Sequence, residues 1–395
     1  MVRTAIRNAT MIDVIRGDIV ENARVIIEGR RIAAIESEST PGVGSNDEDL
    51  DGEGLWLIPG LMNLHEHLML REVQGQPHDY MLGSVVDHTV SAVKNTENAI
   101  ARGWTTVVDM ASTYGISIRM REIVRAGLLN GPRVLAAGSP ISITGGHASE
   151  GGICVEADGP EECRAAARGQ LKAGADLLKI MASEDPYDMP GPEASRPEMS
   201  PEEISAIVME ARRWGKFTAA HVMGEEAIGN VIDSGVRIIN HGGYMTEELA
   251  ARALDAGCYF GPTLSSYTVR TVDPANSRGS AWREAHQPLV EPIRNGARAG
   301  IAGGLTIVVA TDTVGVYSEE VRLLQDLGVS PMDTMRACTI NGARAIRREH
   351  DLGSIEADKI ADMVLLRSNP LDDPQALDDV ALVIRDGEVV HRVLP

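Results

Sequence analysis

Between residues 57 and 347 the chain repeats one pattern: a short apolar run, a turn, then a stretch with apolar positions at helical spacing. Apolar runs at 57–61, 105–110, 134–138, 177–180, 217–220, 237–240, 258–261 and 306–311 read as strands. Amphipathic stretches such as 160–173, 201–214 and 246–256 read as helices. The last two follow start signals, Ser200-Pro201 and Thr246 with Glu247 and Glu248 behind it. Gly174, Gly215, Gly235 and Gly257 fall where helices should stop. Eight such units predict an α/β fold of the (β/α)8 barrel type.

The ends of the chain read differently. Runs at 4–12, 23–28 and 31–35, and again at 361–366, 380–385 and 388–393, alternate like strands with no helices between them. Asp386-Gly387 is a hairpin signal. The expected organisation is a barrel over 57–347 and a small β-sandwich domain built from 1–56 and 348–395.

Composition narrows the possible partners. Lys and Arg total 37 against 57 Asp and Glu, a net charge of −20. That balance argues against nucleic acid and anionic membranes, whose binding rests on basic patches. A small molecule is the expected partner. Aromatic residues are only 3% of the chain, so the core must be aliphatic. Cys154, Cys163, Cys258 and Cys338 form no C-x-x-C pair, which argues against a thiolate zinc knuckle or redox motif. A reducing, cytoplasmic setting is expected. The N-terminal stretch has no continuous apolar core of a secretory signal.

Barrel enzymes carry their chemistry at the C-terminal ends of the strands. The first strand region ends in Asn63-Leu64-His65-Glu66-His67, and alternate residues share a face, so His65 and His67 point the same way. Two imidazoles so spaced suit a divalent metal, though H-x-H alone also arises by chance. Further runs end in Lys179, His221, His241 and Asp312. Four histidines, one Asp and one Lys at five strand ends are hard to explain by packing.

With these residues the chain resembles the amidohydrolase superfamily, in its imidazolonepropionase-related, prolidase-like (Xaa-Pro dipeptidase-like) branch. The resemblance rests on PGLMNLHEHL (59–68), ITGGHA (143–148), ADLLKI (175–180), AAHVMG (219–224), INHGGY (239–244), ATDT (310–313) and GSIEADKIADMVLL (353–366). It implies that His65, His67 and Asp312 bind one divalent ion and that His221 and His241 bind a second. Lys179 would bridge the two as an N-carboxylated lysine, because an ammonium has no lone pair for a metal. Zn2+ is the expected ion, while the same ligands suit Mn2+, Fe2+ and Co2+. The implied activity is hydrolysis of a small amide, such as a dipeptide or N-acyl amino acid, by a metal-bridging hydroxide with Asp312 as general base and acid. A lactone, carbamate, cyclic imide or phosphotriester would suit the same centre. His147 and Tyr244 are the implied substrate contacts, with His147 also a catalytic candidate.

Asn63 departs from the acidic residue many relatives have there. The stretch 182–199 is longer and more acidic than the glycine-rich segment expected, and it reads as a loop over the mouth. With 263–287 it is expected to shape specificity. His78, His88, His286, His350 and His391 have no such context and read as surface or helix residues. Tyr187, Tyr244, Tyr267 and Tyr317 are expected in or near mouth loops. Relatives are often oligomeric, so a homo-oligomer is expected.

Overall fold

Two kinds of apolar run build two kinds of sheet. The computed structural model describes residues 3–36, 48–70, 83–149, 152–185, 195–272, 279–312 and 315–393. The chain ends meet in one eight-stranded mixed sheet. Its order is Glu388–Arg392, Val380–Arg385, Met363–Leu366, Trp56–Pro59, Arg3–Asp13, Asp18–Glu28 and Arg31–Glu36, with Glu48–Asp51 also paired to Arg3–Asp13. The sequence reading expected a sandwich; the hydrogen bonding joins all these strands in a single sheet. The Asp386-Gly387 hairpin forms, with φ of +53° and +82°, the left-handed pair that such a two-residue turn requires.

Alternation explains why the central strands of this sheet are apolar throughout. Leu57, Met363 and Leu365 face a small core with Ile6, Val25 and Ile27. Their neighbours Ile58, Val364 and Leu366 face the main core of the molecule. Successive side chains point to opposite faces, so both faces are buried and neither tolerates polar residues.

One expectation is corrected here. The run at 57–61 is not the first strand of the parallel body. Pro59-Gly60 divides it: Trp56–Pro59 pairs with Met363–Leu366 in the terminal sheet, and Leu61–Glu66 begins the parallel strands. Gly60 is required at the break, because a Cβ there would lie 2.1 Å from the Thr105 hydroxyl.

The parallel strands form two sheets. Leu61–Glu66, Trp104–Asp109 and Arg133–Ala136 make one, in that order. Val155–Glu156, Ile141–Ser142, Leu177–Met181, Phe217–Val222, Ile238–His241, Tyr259–Gly261 and Thr306–Ile307 make the other. Backbone hydrogen bonds span both gaps. Asp176 N donates to Ala136 O at 2.8 Å, and Leu64 N donates to Val309 O at 2.9 Å. The run at 306–311 pairs as a strand only at Thr306–Ile307.

Helices follow these strands as the pattern predicts. Gly159–Ala173 stops at Gly174, whose φ is +105°. Pro201–Arg213 starts at a reciprocal cap between Ser200 and Glu203. Thr246 caps Glu247–Asp255 by accepting the Leu249 amide. Among the described residues no helix is long and apolar enough to cross a membrane.

Candidate metal centre

Parallel strands deliver their C-terminal residues to one side. From Leu61–Glu66 and the residue after it, the Nε2 atoms of His65 and His67 approach to 3.1 Å. Asp312 Oδ1 lies 3.3 Å from His67 Nε2 and 3.9 Å from His65 Nε2. The backbone itself brings the three together, since the Asp312 N–H donates to the His65 carbonyl at 2.9 Å. A divalent ion bound tetrahedrally at about 2.0–2.1 Å spaces its ligand atoms roughly 3.3 Å apart. The three side chains fit that spacing. Both histidines are buried, and the Nδ1 atom of each has no hydrogen-bond partner among the described residues.

A buried amide braces this group. Asn63 Oδ1 accepts the N–H groups of His65 and Thr311 at 3.3 and 3.2 Å. Its Nδ2 donates to Glu66 Oε2 at 3.0 Å and to Thr311 Oγ1 at 2.7 Å. Glu66 Oε1 in turn accepts the His67 N–H at 2.9 Å. An ionised acid at position 63 could not donate to Glu66 and would repel it. The departure at Asn63 is therefore matched by the residue three places on.

In the other parallel sheet His221 is the penultimate residue of Phe217–Val222, and His241 ends the next strand, Ile238–His241. Their ring centroids are 4.6 Å apart, and His241 lies 5.1 Å from His65. The tautomer of His241 follows from its partner. Thr263 Oγ1 donates its proton to Pro262 O at 2.7 Å, so it accepts from His241 Nδ1 at 2.7 Å. Nε2 is left with the lone pair a metal needs. Burial holds His65, His221 and His241 well below the usual histidine range, in the neutral ligand form.

Lys179 lies on the adjacent strand, in register with Ala219. It is buried, and Nζ donates to Asn240 Oδ1 at 3.1 Å. Burial lowers its pKa to about 7. Three non-glycine residues here, His241, Thr263 and Asp312, have φ of +69°, +53° and +59°. Such conformations cost on the order of 1 kcal/mol or more each and cluster where function demands them.

His147 stacks on His221, with centroids 4.1 Å apart and planes 24° apart. Its N–H donates to both oxygens of Glu198, at 2.9 and 3.0 Å. Asp185 completes a second group: its Oδ2 lies 3.8 Å from His221 Nε2 and accepts the Tyr267 hydroxyl at 3.0 Å. The ligand atoms of His147, Asp185 and His221 all lie within 4.8 Å of one another. Burial and the neighbouring Glu184 push Glu198 up to about 7.

The structure thus brings His65, His67 and Asp312 into one group and joins His221 to both His241 and His147. Tyr244 follows its strand half-buried against the main core. Tyr267 sits edge-on to His241 at 5.7 Å. Tyr317 is corrected: it is buried below the site, donating to Met62 O at 2.9 Å. Tyr187, His78 and the side chain of His286 lie outside the described residues. Buried His88 sits within the helix Val85–Ala101, while His350 is exposed beside Asp351 and His391 lies on a terminal strand. Sequence reasoning missed Asp185, Glu198 and Asp109. Acids are abundant in this chain, and none of these three stands in a motif.

Residues 56–390 match the amidohydrolase family. The ochratoxinase of Aspergillus niger is 27% identical over 90% of this chain and 80% of its own length. The crystal structure of a Xaa-Pro dipeptidase with methionine bound in its active site superposes with a TM-score of 0.88. It is 27% identical and is covered over 98% of this chain and 99% of that one. A prolidase complexed with N-methylphosphonate-L-proline superposes with a TM-score of 0.89, at 25% identity over 99% of this chain and 100% of that one.

Proposed function

The chain belongs to the amidohydrolase family, and from that premise we propose that it is a metal-dependent hydrolase cleaving the amide bond of a dipeptide or N-acyl amino acid. The observation that carries this reading is the convergence of His65, His67 and Asp312 into one buried group of ligand atoms. Similarity to a Xaa-Pro dipeptidase favours a peptide-like amide over a lactone, carbamate, cyclic imide or phosphotriester.

In this reading His65, His67 and Asp312 hold one ion and His221 and His241 a second. Lys179, once its amine had added CO2 and lost a proton, would be their shared ligand as the carbamate. Zn2+ is the expected ion. Divalent ions there supply hydroxide at neutral pH and polarise the carbonyl under attack. The chain's own residues handle protons and substrate. Asp312 takes the proton released on attack and returns it to the leaving nitrogen as the C–N bond breaks. His147, against His221, and Tyr244, after the His241 strand, contact the substrate. The two parallel sheets are arcs of one (β/α)8 barrel over 61–347, beside a β domain from 1–59 and 348–395. The backbone hydrogen bonds across both gaps support that closure.

Dialysis against a chelator should abolish hydrolysis of a panel of N-acyl amino acids and dipeptides, and Zn2+ or Mn2+ should restore it. Protein that carries no metal and responds to neither ion overturns the reading. So does turnover of lactones or aryl phosphotriesters with none of amides.

A further inference from the structure

Asp109 ends the strand Trp104–Asp109, level with Glu66 on the neighbouring strand. It is sealed from solvent. Its Oδ2 accepts the N–H of Leu68, the residue after His67, at 2.9 Å. Its Oδ1 has no partner within ordinary hydrogen-bond geometry among the described residues, although the Ser117 hydroxyl and the Ala111 N–H also act on the carboxylate, and the buried Nδ1 of His67 has none either. A buried carboxylate oxygen left without a donor is costly, so its presence calls for a function. His67 turns Nε2 toward His65 and Asp312, so an ion bound at Nε2 would leave Nδ1 as the ring atom that carries the proton. An orphaned acceptor and an orphaned donor therefore lie beside the same stretch of backbone.

We propose that Asp109 is a positioning residue of the metal centre, its Oδ1 accepting the Nδ1 proton of His67 when Nε2 binds an ion. The inference rests on the metal-dependent reading above. Asp109 touches neither ion nor substrate. It fixes the tautomer and the aim of one imidazole, and its negative charge makes that imidazole a stronger donor to the metal.

Asp109→Asn tests this in protein stripped of metal and titrated with Zn2+ against a competing chromogenic chelator. The variant should bind the ion roughly 10–100-fold more weakly, and its Co2+ form should show a shifted visible spectrum. The metal-free variant should melt no lower than metal-free wild type, because the substitution removes a buried charge that has no cation beside it while its carbonyl oxygen can still accept the Leu68 N–H. Should it melt lower, a double-mutant cycle with His67→Ala keeps the test open: the Asp109→Asn effect on affinity should vanish in that background. Affinity within about twofold of wild type and an unchanged Co2+ spectrum overturn the proposal, as does an equal loss in the His67→Ala background. Wild type that binds no ion overturns the metal-dependent reading as well, which separates the two failures.

Discussion

At the scale of single residues, what matters is which polar groups the interior tolerates and on what terms. Asp312 sits in a left-handed conformation with its carboxylate against His67. If it relays the proton, Asp312→Asn should lower kcat by about 100-fold or more while metal content stays near that of wild type. Near-normal turnover in metal-replete protein would refute the assignment. Glu320 is buried and accepts the amides of Leu264 and Ser265 at 3.0 and 2.6 Å. Burial nevertheless raises its pKa from 4.5 to about 7. The folded chain therefore binds this proton more tightly than the unfolded chain, and stability from this group falls as pH rises from 4.5 toward 7. Going from about pH 8 to about pH 6 should stabilise wild type relative to Glu320→Gln by about 1 kcal/mol, read from urea midpoints. Parallel pH profiles for the two proteins would contradict it. The six expected ligand residues stood out as candidates because each lies in or just after a short apolar run. Asp185, Glu198 and Asp109 were not, because their importance lies in what surrounds them and not in their spacing.

At the scale of elements, apolar runs announced the strands but not which sheet each would join. A run buried on both faces reads the same in either sheet, so Trp56–Pro59 was taken for a parallel strand. Its partner, Met363–Leu366, is distant in sequence and invisible to any local pattern. Helix limits were clearer, since caps and glycines act within a few residues. One tie between the terminal sheet and the parallel strands is Arg133. It holds Asp362 at 2.6 Å and Asp386 at 2.8 Å, and the Asp386 N–H donates to Asp362 at 2.8 Å. Arg133→Met would leave the buried Asp362 without its cation. Breaking such a pair by removing one partner costs about 3–5 kcal/mol, measurable by chemical denaturation. A loss below about 1 kcal/mol would show the clamp to be dispensable.

At the scale of the whole molecule, the alternation of strand and helix made the α/β class legible. The closure of the parallel strands and the pairing of the chain ends depend on contacts between distant segments. The order of those contacts has a consequence for synthesis. Every residue assigned to the metals has left the ribosome by Asp312. Yet Trp56–Pro59, made early, gains its partner Met363–Leu366 roughly 300 residues later. Until then one apolar edge of the terminal sheet is open, a hazard for association with other unfinished chains. The nascent chain thus carries every side chain proposed for the metal centre on a scaffold whose seam closes only with its last strands.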